Sequence, residues 1–184
     1  MKMPRILWEE YFLLLAKVAA LRSGCNSRPN GAIIVKNKRI LTTGYNGPIP
    51  GRWHCTDQGY GYCYRRSLGI PDIDKYNFCP AIHAEANALN QAARFGISVD
   101  GSEVYCTLAP CYPCLKDLVA AGIKRVYFES VYESKNLERD TLWNKALKES
   151  GVEWNQISLS EETIELASSW MHSITSVRRL APTD

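Results

Sequence analysis

A chain of 184 residues that is 46% hydrophobic and 22% charged can bury one sizeable core, which excludes disorder as its default state. The formal net charge of +3, without a long Lys/Arg run, gives no general attraction to nucleic acid. No stretch approaches the roughly 20 apolar residues that a membrane-spanning helix needs: the apolar run at Phe12–Leu15 is short and Lys17 breaks it, and no signal peptide follows Met1-Lys2-Met3-Pro4-Arg5. The expectation is one soluble intracellular domain over residues 1–184. Seven cysteines, an odd number in such a chain, point to metal binding rather than to a disulfide framework.

In chain order, Leu7, Trp8, Tyr11, Leu14, Leu15 and Val18 recur at helical spacing, which predicts a helix from Leu7 to Arg22. Arg28-Pro29-Asn30-Gly31 breaks the chain. Ala32–Val35 and Ile40–Thr43 read as an antiparallel hairpin around Lys36-Asn37-Lys38-Arg39. Asn46 to Ile82 is long, rich in Gly, Pro and aromatics, and aperiodic; a loop of that length in a compact domain is functional or carries its own stabiliser. Alternation follows: a helix over His83–Phe95, a strand over Glu103–Leu108, a helix over Cys111–Ala121, a strand over Arg125–Phe128, a helix over Thr141–Glu149 and a strand over Val152–Ile157. Ser160-Glu161-Glu162-Thr163 then opens a last helix, with Ser160 as cap and the acids at the positive end of the dipole. A hairpin followed by β-α-β-α-β implies an α/β fold, with a mixed sheet covered by helices on both faces.

The most informative residues are His83-Ala84-Glu85 and, downstream, Pro110-Cys111-Tyr112-Pro113-Cys114. They supply one imidazole, two thiolates and one carboxylate. Three protein ligands leave a tetrahedral Zn²⁺ one open position for water, whose pKa the metal lowers towards about 7. A carboxylate two residues from the histidine can move that water's protons, so Glu85 is expected to be the general acid and base and not a ligand. A Cys-x-x-Cys alone is a weak signal; the pairing H-x-E…P-C-x-x-C marks zinc deaminases that act on nucleobases. Both motifs fall where helices begin, and helix N-termini lower thiol pKa values and favour anions. The plainer alternatives are a structural zinc with a distant fourth ligand, or two buried thiols beside a solvated Glu85.

These motifs lie within longer matches. Trp8-Glu9-Glu10-Tyr11-Phe12, Leu21-Arg22-Ser23-Gly24-Cys25, Gly31-Ala32-Ile33-Ile34-Val35, Gly44-Tyr45-Asn46-Gly47, His83-Ala84-Glu85-Ala86-Asn87-Ala88, Tyr105 through Cys114, and Ala121-Gly122-Ile123-Lys124-Arg125-Val126 resemble the deoxycytidylate (dCMP) deaminase family of the cytidine deaminase-like superfamily. The resemblance implies a three-layer α/β/α fold with a mixed five-stranded sheet. It implies hydrolytic deamination of dCMP to dUMP and ammonia, supplying dUMP for thymidylate synthesis in a bacterial cytoplasm or a phage-infected cell. It puts Asn46 on the substrate sugar, the backbone of Ala84 and Ala109 near the base, and Arg22 at the 5′-phosphate. It also implies a hexamer regulated by dCTP with Mg²⁺ and by dTTP, with Gly44, Tyr45 and Gly47 taking part and Tyr132 near the nucleotide. Without the resemblance, Gly44–Gly47 is a turn and Arg22 a solvated helix end. A deaminase of dCTP or another cytosine nucleotide, or of nucleic acid in the manner of the tRNA adenosine deaminases, is the rival reading.

Some phage and bacterial members of that family carry a second, structural zinc. Cys25 and Cys55 match two of its ligand positions, Cys79 lies close to another, and Cys63 or His54 could complete four. Ordinary buried thiols are the alternative. Cys106, in mid-strand, is expected in the core.

Overall fold

The computed structural model describes residues 5–71, 78–131 and 137–175. Helix α1 (Trp8–Ala20) buries Phe12, Leu13 and Ala16, which recur on one face. Strands β1 (Gly31–Lys36) and β2 (Arg39–Tyr45) form the expected hairpin. Asn37 and Lys38 both take positive φ, 51° and 60°, as a two-residue type I′ turn requires to match the twist of its strands.

Among its described residues, the long connection after β2 carries short elements: β3 (Gly47–Pro48), a 3₁₀ turn at Cys55–Gln58, α2 (Tyr64–Ser67) and β4 (Ala81–Ile82). Strands β3 and β4 pair antiparallel and close the ends of the excursion. None is long enough to leave a period in the sequence. The regular alternation then runs α3 (Ala84–Phe95), β5 (Glu103–Leu108), α4 (Tyr112–Ala120), β6 (Arg125–Ser130), α5 (Leu137–Ser150), β7 (Glu153–Gln156) and α6 (Glu161–Thr175). Helix α5 starts before the expected Thr141, because Glu138 and Asp140 favour its positive end.

Five strands form one mixed sheet in the order β2-β1-β5-β6-β7. The β2–β1 and β1–β5 pairs are antiparallel; β5–β6 and β6–β7 are parallel. On one face, Ala84, Ala88 and Ala92 of α3 and Leu118 of α4 pack against Ala32, Ile34, Val104, Cys106 and Val126. On the other, Phe12 and Ala16 of α1 pack against Ile33, Val35 and Tyr105, and Tyr105 stacks on Tyr127 at 4.6 Å. Thus β1 is buried on both faces, and three layers result. Cys106 is in the core as expected. Trp154 packs between Phe128 and Trp143. Glu10 of α1 accepts from Ser160 N (2.6 Å) and Thr163 Oγ1 (2.8 Å), which ties the first turn of α6 to α1.

Two glycines let helices approach the hairpin. A methyl group on Gly31 would overlap the carbonyl oxygen of Ala16 in α1, and one on Gly44 would overlap that of Ala84 in α3. Backbone is on the receiving side in both cases, so neither neighbour can rotate away. Gly31→Ala is expected to cost about 1–3 kcal/mol as an overpacked contact, seen as a lower urea midpoint with an unchanged slope.

Candidate active site

The alternation places the ends of β4 and β5 next to the starts of α3 and α4. His83 is the N-cap of α3 and Cys111 the N-cap of α4, each with extended backbone. Glu85 and Cys114 lie within the first turns that follow. The expectation that His83 and Cys111 lie inside those turns is therefore corrected by one position. A residue at the cap turns away from the helix axis, so its side chain projects across the helix mouth.

The two mouths face one another. His83 Nδ1 lies 3.3 Å from Cys111 Sγ and 3.4 Å from Cys114 Sγ. Among the described residues, these three form the one group of candidate ligands whose donor atoms all lie within 4.8 Å of one another. One nitrogen and two sulfurs converging from separate helices suit a Zn²⁺ with one position left open. The Cys114 thiol donates to Cys111 Sγ and, with His83, holds Cys111 far below the usual thiol range, at about 4. That bond to Cys111 pushes Cys114 the other way. A dication held between them lets both sulfurs ionise.

Glu85 stands outside this group and beside it. It is 8% exposed, and burial pushes its carboxyl up to about 7 against the contact it makes with the Cys114 thiol. A carboxyl so placed can both take and give a proton near neutrality. Cys106 lies behind it, and burial followed by the Glu85 charge pushes that thiol up.

Asn46 is buried, and its amide is engaged by the protein. Oδ1 accepts from Ser23 Oγ (2.6 Å) and Asn30 N (2.8 Å), and Nδ2 donates to Arg28 O (3.0 Å). By valence, one Nδ2 hydrogen remains for a ligand. Arg22 is exposed just past the end of α1, next to Ser23. Ala84 and Ala109 are buried, and Ala109 N donates to Ser130 O (2.8 Å). Gly44, Tyr45 and Gly47 line a separate cleft of about 540 Å³, together with Arg52, His54 and Arg94. Tyr132 lies outside the described residues.

The remaining cysteines also gather. Cys25, Cys55, Cys63 and Cys79 line one small cavity of about 20 Å³, room for roughly one water-sized sphere. His54 lines the larger cleft instead. Burial above all pushes Cys55 and Cys79 up, and the charges of the neighbouring sulfurs add to it. Cys55 and Cys79 therefore resist ionisation without a cation, and a dication reverses that balance. The donor types are those of a closed tetrahedral zinc site, but the four sulfurs are not drawn together as the donors of the His83 group are.

Ser23, Asn30 and Thr107, which hold Asn46 and the start of β1 in place, were not singled out from the sequence. Thr107 Oγ1 accepts from Gly31 N (3.1 Å) and lies 3.4 Å from Asn30 Oδ1. Ser23 lies within a matched segment, which was the one available signal for it.

Comparison with known proteins agrees with this geometry. Residues 6–130 match the family model for the cytidine and deoxycytidylate deaminase zinc-binding region. The chain belongs to this family. It is 40% identical over 131 residues to the deoxycytidylate deaminase of Mycobacterium phage D29, covering 68% of this chain and 97% of that protein. It is 37% identical over 164 residues to ComE operon protein 2 of Bacillus subtilis, covering 89% and 78%. The dCMP deaminase of cyanophage S-TIM5, solved in complex with dCMP and dUMP, is 32% identical with a TM-score of 0.62, covering 81% of this chain and 96% of that one. The mixed five-stranded sheet with helices on both faces is thus the cytidine deaminase-like fold.

Cys111→Ser is expected to lose the zinc of this centre without disturbing the four-cysteine cavity, because the two share no candidate ligand. Metal analysis should then fall by one zinc per chain; an unchanged content would remove Cys111 from the ligand set.

Proposed function

We propose that this chain is a zinc-dependent deoxycytidylate deaminase, converting dCMP and water to dUMP and ammonia. The supporting observation is the His83, Cys111 and Cys114 group with Glu85 buried beside it, in a chain similar to an enzyme solved with dCMP and dUMP. The product feeds thymidylate synthesis in the cytoplasm. No helix among the described residues is long and apolar enough to cross a membrane.

His83 Nδ1, Cys111 Sγ and Cys114 Sγ would hold the metal. Bound there, zinc acidifies a water and sharpens it as a nucleophile. Glu85 takes a proton at its carboxylate and passes it to the ring nitrogen beside the carbon that bears the amine. Once the water oxygen has added to that carbon, Glu85 takes the proton left on that oxygen and delivers it to the amine, which leaves as ammonia as the ring carbonyl forms. Burial raises the proton affinity of Glu85 and the nearby dication lowers it, so neither form is locked in. Ala109 has its N–H committed to Ser130, so only its carbonyl can receive the base. Ala84, in the first turn of α3, offers an N–H with no partner inside the helix. Asn46 turns its remaining amide hydrogen to the sugar, and Arg22 meets the 5′-phosphate.

Cys25, Cys55, Cys63 and Cys79 hold a second, structural zinc. Regulation is by dCTP with Mg²⁺ and by dTTP in a hexamer. The effector site is the cleft at Gly44, Tyr45 and Gly47, which is large enough for a nucleotide and carries Arg52 and Arg94 for its phosphates.

Glu85→Gln should retain zinc and lose about 10²–10⁴ in kcat, the usual worth of a positioned general acid and base. Zinc analysis and turnover of dCMP check this, and near-normal turnover would refute the role of Glu85. Wild-type turnover of dCMP, dCTP, deoxycytidine and an RNA hairpin, measured side by side, should favour dCMP. Reaction of the hairpin alone would reject the nucleotide assignment.

Arg94→Ala should raise the dCTP concentration needed for activation by about tenfold, as loss of one charge-assisted contact. Titration of the rate with dCTP and Mg²⁺ reads this directly; an unshifted curve would place the effector elsewhere.

A further inference from the structure

The loop from Ser23 to Asn30 hangs between two anchors. At one, Cys25 faces the four-cysteine cavity, and its sulfur accepts from Arg28 N at 3.5 Å. Asn26 ties the same loop to the segment bearing Cys55 and Cys63: its Nδ2 is shared among the carbonyls of Cys55 (3.1 Å), Gly59 (2.8 Å) and Tyr62 (3.2 Å). At the other anchor, Asn46 holds Ser23, Arg28 and Asn30 through both ends of its amide. Ser23 joins the two. Its hydroxyl accepts from Cys25 N (3.1 Å) and donates to Asn46 Oδ1 (2.6 Å), with Asn46 O at 3.0 Å. A single oxygen therefore connects the backbone of a cluster cysteine to the amide assigned to the substrate sugar.

We propose that the four-cysteine cluster, by holding a metal ion, fixes the Asn46 amide through Ser23 and so sets nucleotide affinity, beyond holding its own loop together. This rests on the reading of the chain as a dCMP deaminase in which Asn46 contacts the nucleotide. The physical reason is preorganisation. An amide held in one orientation loses little freedom when the nucleotide binds; one that can rotate presents the wrong end part of the time and must be ordered first. Asn46 is assigned to the sugar and takes no part in the Glu85 proton transfers, so its loosening weakens substrate, product and transition state alike. Such a loss appears in KM and leaves kcat nearly untouched. Cys25 and Ser23 are two residues apart, so a shift at the sulfur cannot be absorbed by intervening chain.

The test uses the full-length zinc-loaded protein and the variants Ser23→Ala, Ser23→Thr, Cys79→Ser and Ser23→Ala with Cys79→Ser. Zinc per chain, kcat and KM for dCMP, and calorimetric binding of dUMP are measured for each. Ser23→Ala should keep two zinc ions and raise both KM and the dUMP Kd about tenfold, the worth of one hydrogen bond, with a much smaller change in kcat. Ser23→Thr, which keeps the hydroxyl, should restore both. Cys79→Ser should lose one zinc and weaken dUMP similarly, and the double variant should be no weaker than either single one, as for two links of one chain. The coupling is overturned if Ser23→Ala binds dUMP like wild type, if the two losses add in full, or if wild type holds only one zinc. Should Cys79→Ser fail to fold, the Ser23 pair decides. If wild type neither turns over dCMP nor binds dUMP, the deaminase reading itself has failed; if it does both and Ser23→Ala is silent, only the coupling has.

Discussion

Everything in this site depends on two helix N-termini meeting at one point. His83 caps α3 and Cys111 caps α4, and each cap turns its side chain out across the mouth of its helix. The first turns add Glu85 and Cys114 from behind. Both macrodipoles then place their positive ends towards the sulfurs, an arrangement that favours the ionised form of Cys111. Sheet geometry makes the meeting possible. Ala84, Ala88 and Ala92 are the core-facing residues of α3, and side chains this short let the helix lie close against β1 and β2. The absent Cβ of Gly44 admits the Ala84 carbonyl. Larger residues on either side would move His83 away from the two sulfurs by more than a metal-ligand bond tolerates.

Around this centre the chain is held by polar bonds more than by apolar packing. A buried amide is costly unless both of its ends are satisfied, and Asn46 meets that demand with three partners drawn from a loop well before it in sequence. The same requirement accounts for Thr107, which engages Gly31 N and Asn30. It accounts also for Asn87, which donates to Tyr45 O at 2.7 Å and fastens the end of β2 to α3. The rim of the site is therefore specified in orientation, which apolar contacts alone would leave loose.

This division explains what could be read from the sequence and what could not. The sheet and its helices rest on periodic burial, and periodicity is visible in one dimension: the existence of α1, the alternating blocks from Glu103 to Gln156 and the Lys36–Arg39 turn were legible, although α1 buries Phe12, Leu13 and Ala16 and leaves the expected Leu7, Trp8, Tyr11 and Val18 exposed. The metal-binding trio was legible because fixed spacing within each helix start leaves the fold only one task, joining the two. Elements shorter than a period left no trace, so the excursion from Asn46 to Ile82 read as plain loop although β3 and β4 close it. Ser23, Asn30 and Thr107 act largely through hydrogen bonds to residues distant in the chain, and no local pattern encodes such a partner. The fourth member of the second cysteine group was ambiguous for the same reason. His54 and Cys55 are neighbours in sequence, yet they line different cavities.

The two sulfur clusters also sit on different kinds of structure, and this bears on what the proposed second site would do. The His83 centre stands on regular helices backed by the core, so its scaffold is stable without a cross-link. The excursion that carries Cys55 and Cys63 has no such support: Ile49, Tyr60 and Leu68 are exposed, and its aromatic contacts are local, with Arg52 lying between Trp53 and Tyr64. Segments that bury little apolar surface cannot offset their own ordering entropy, and a closed four-sulfur site is an efficient substitute for a core. A catalytic centre must keep one coordination position open, which limits how tightly it can hold its surroundings. On the proposed reading, separating the two tasks would allow the reacting centre to stay open while the loop that shapes its rim is held by a site with no position to spare.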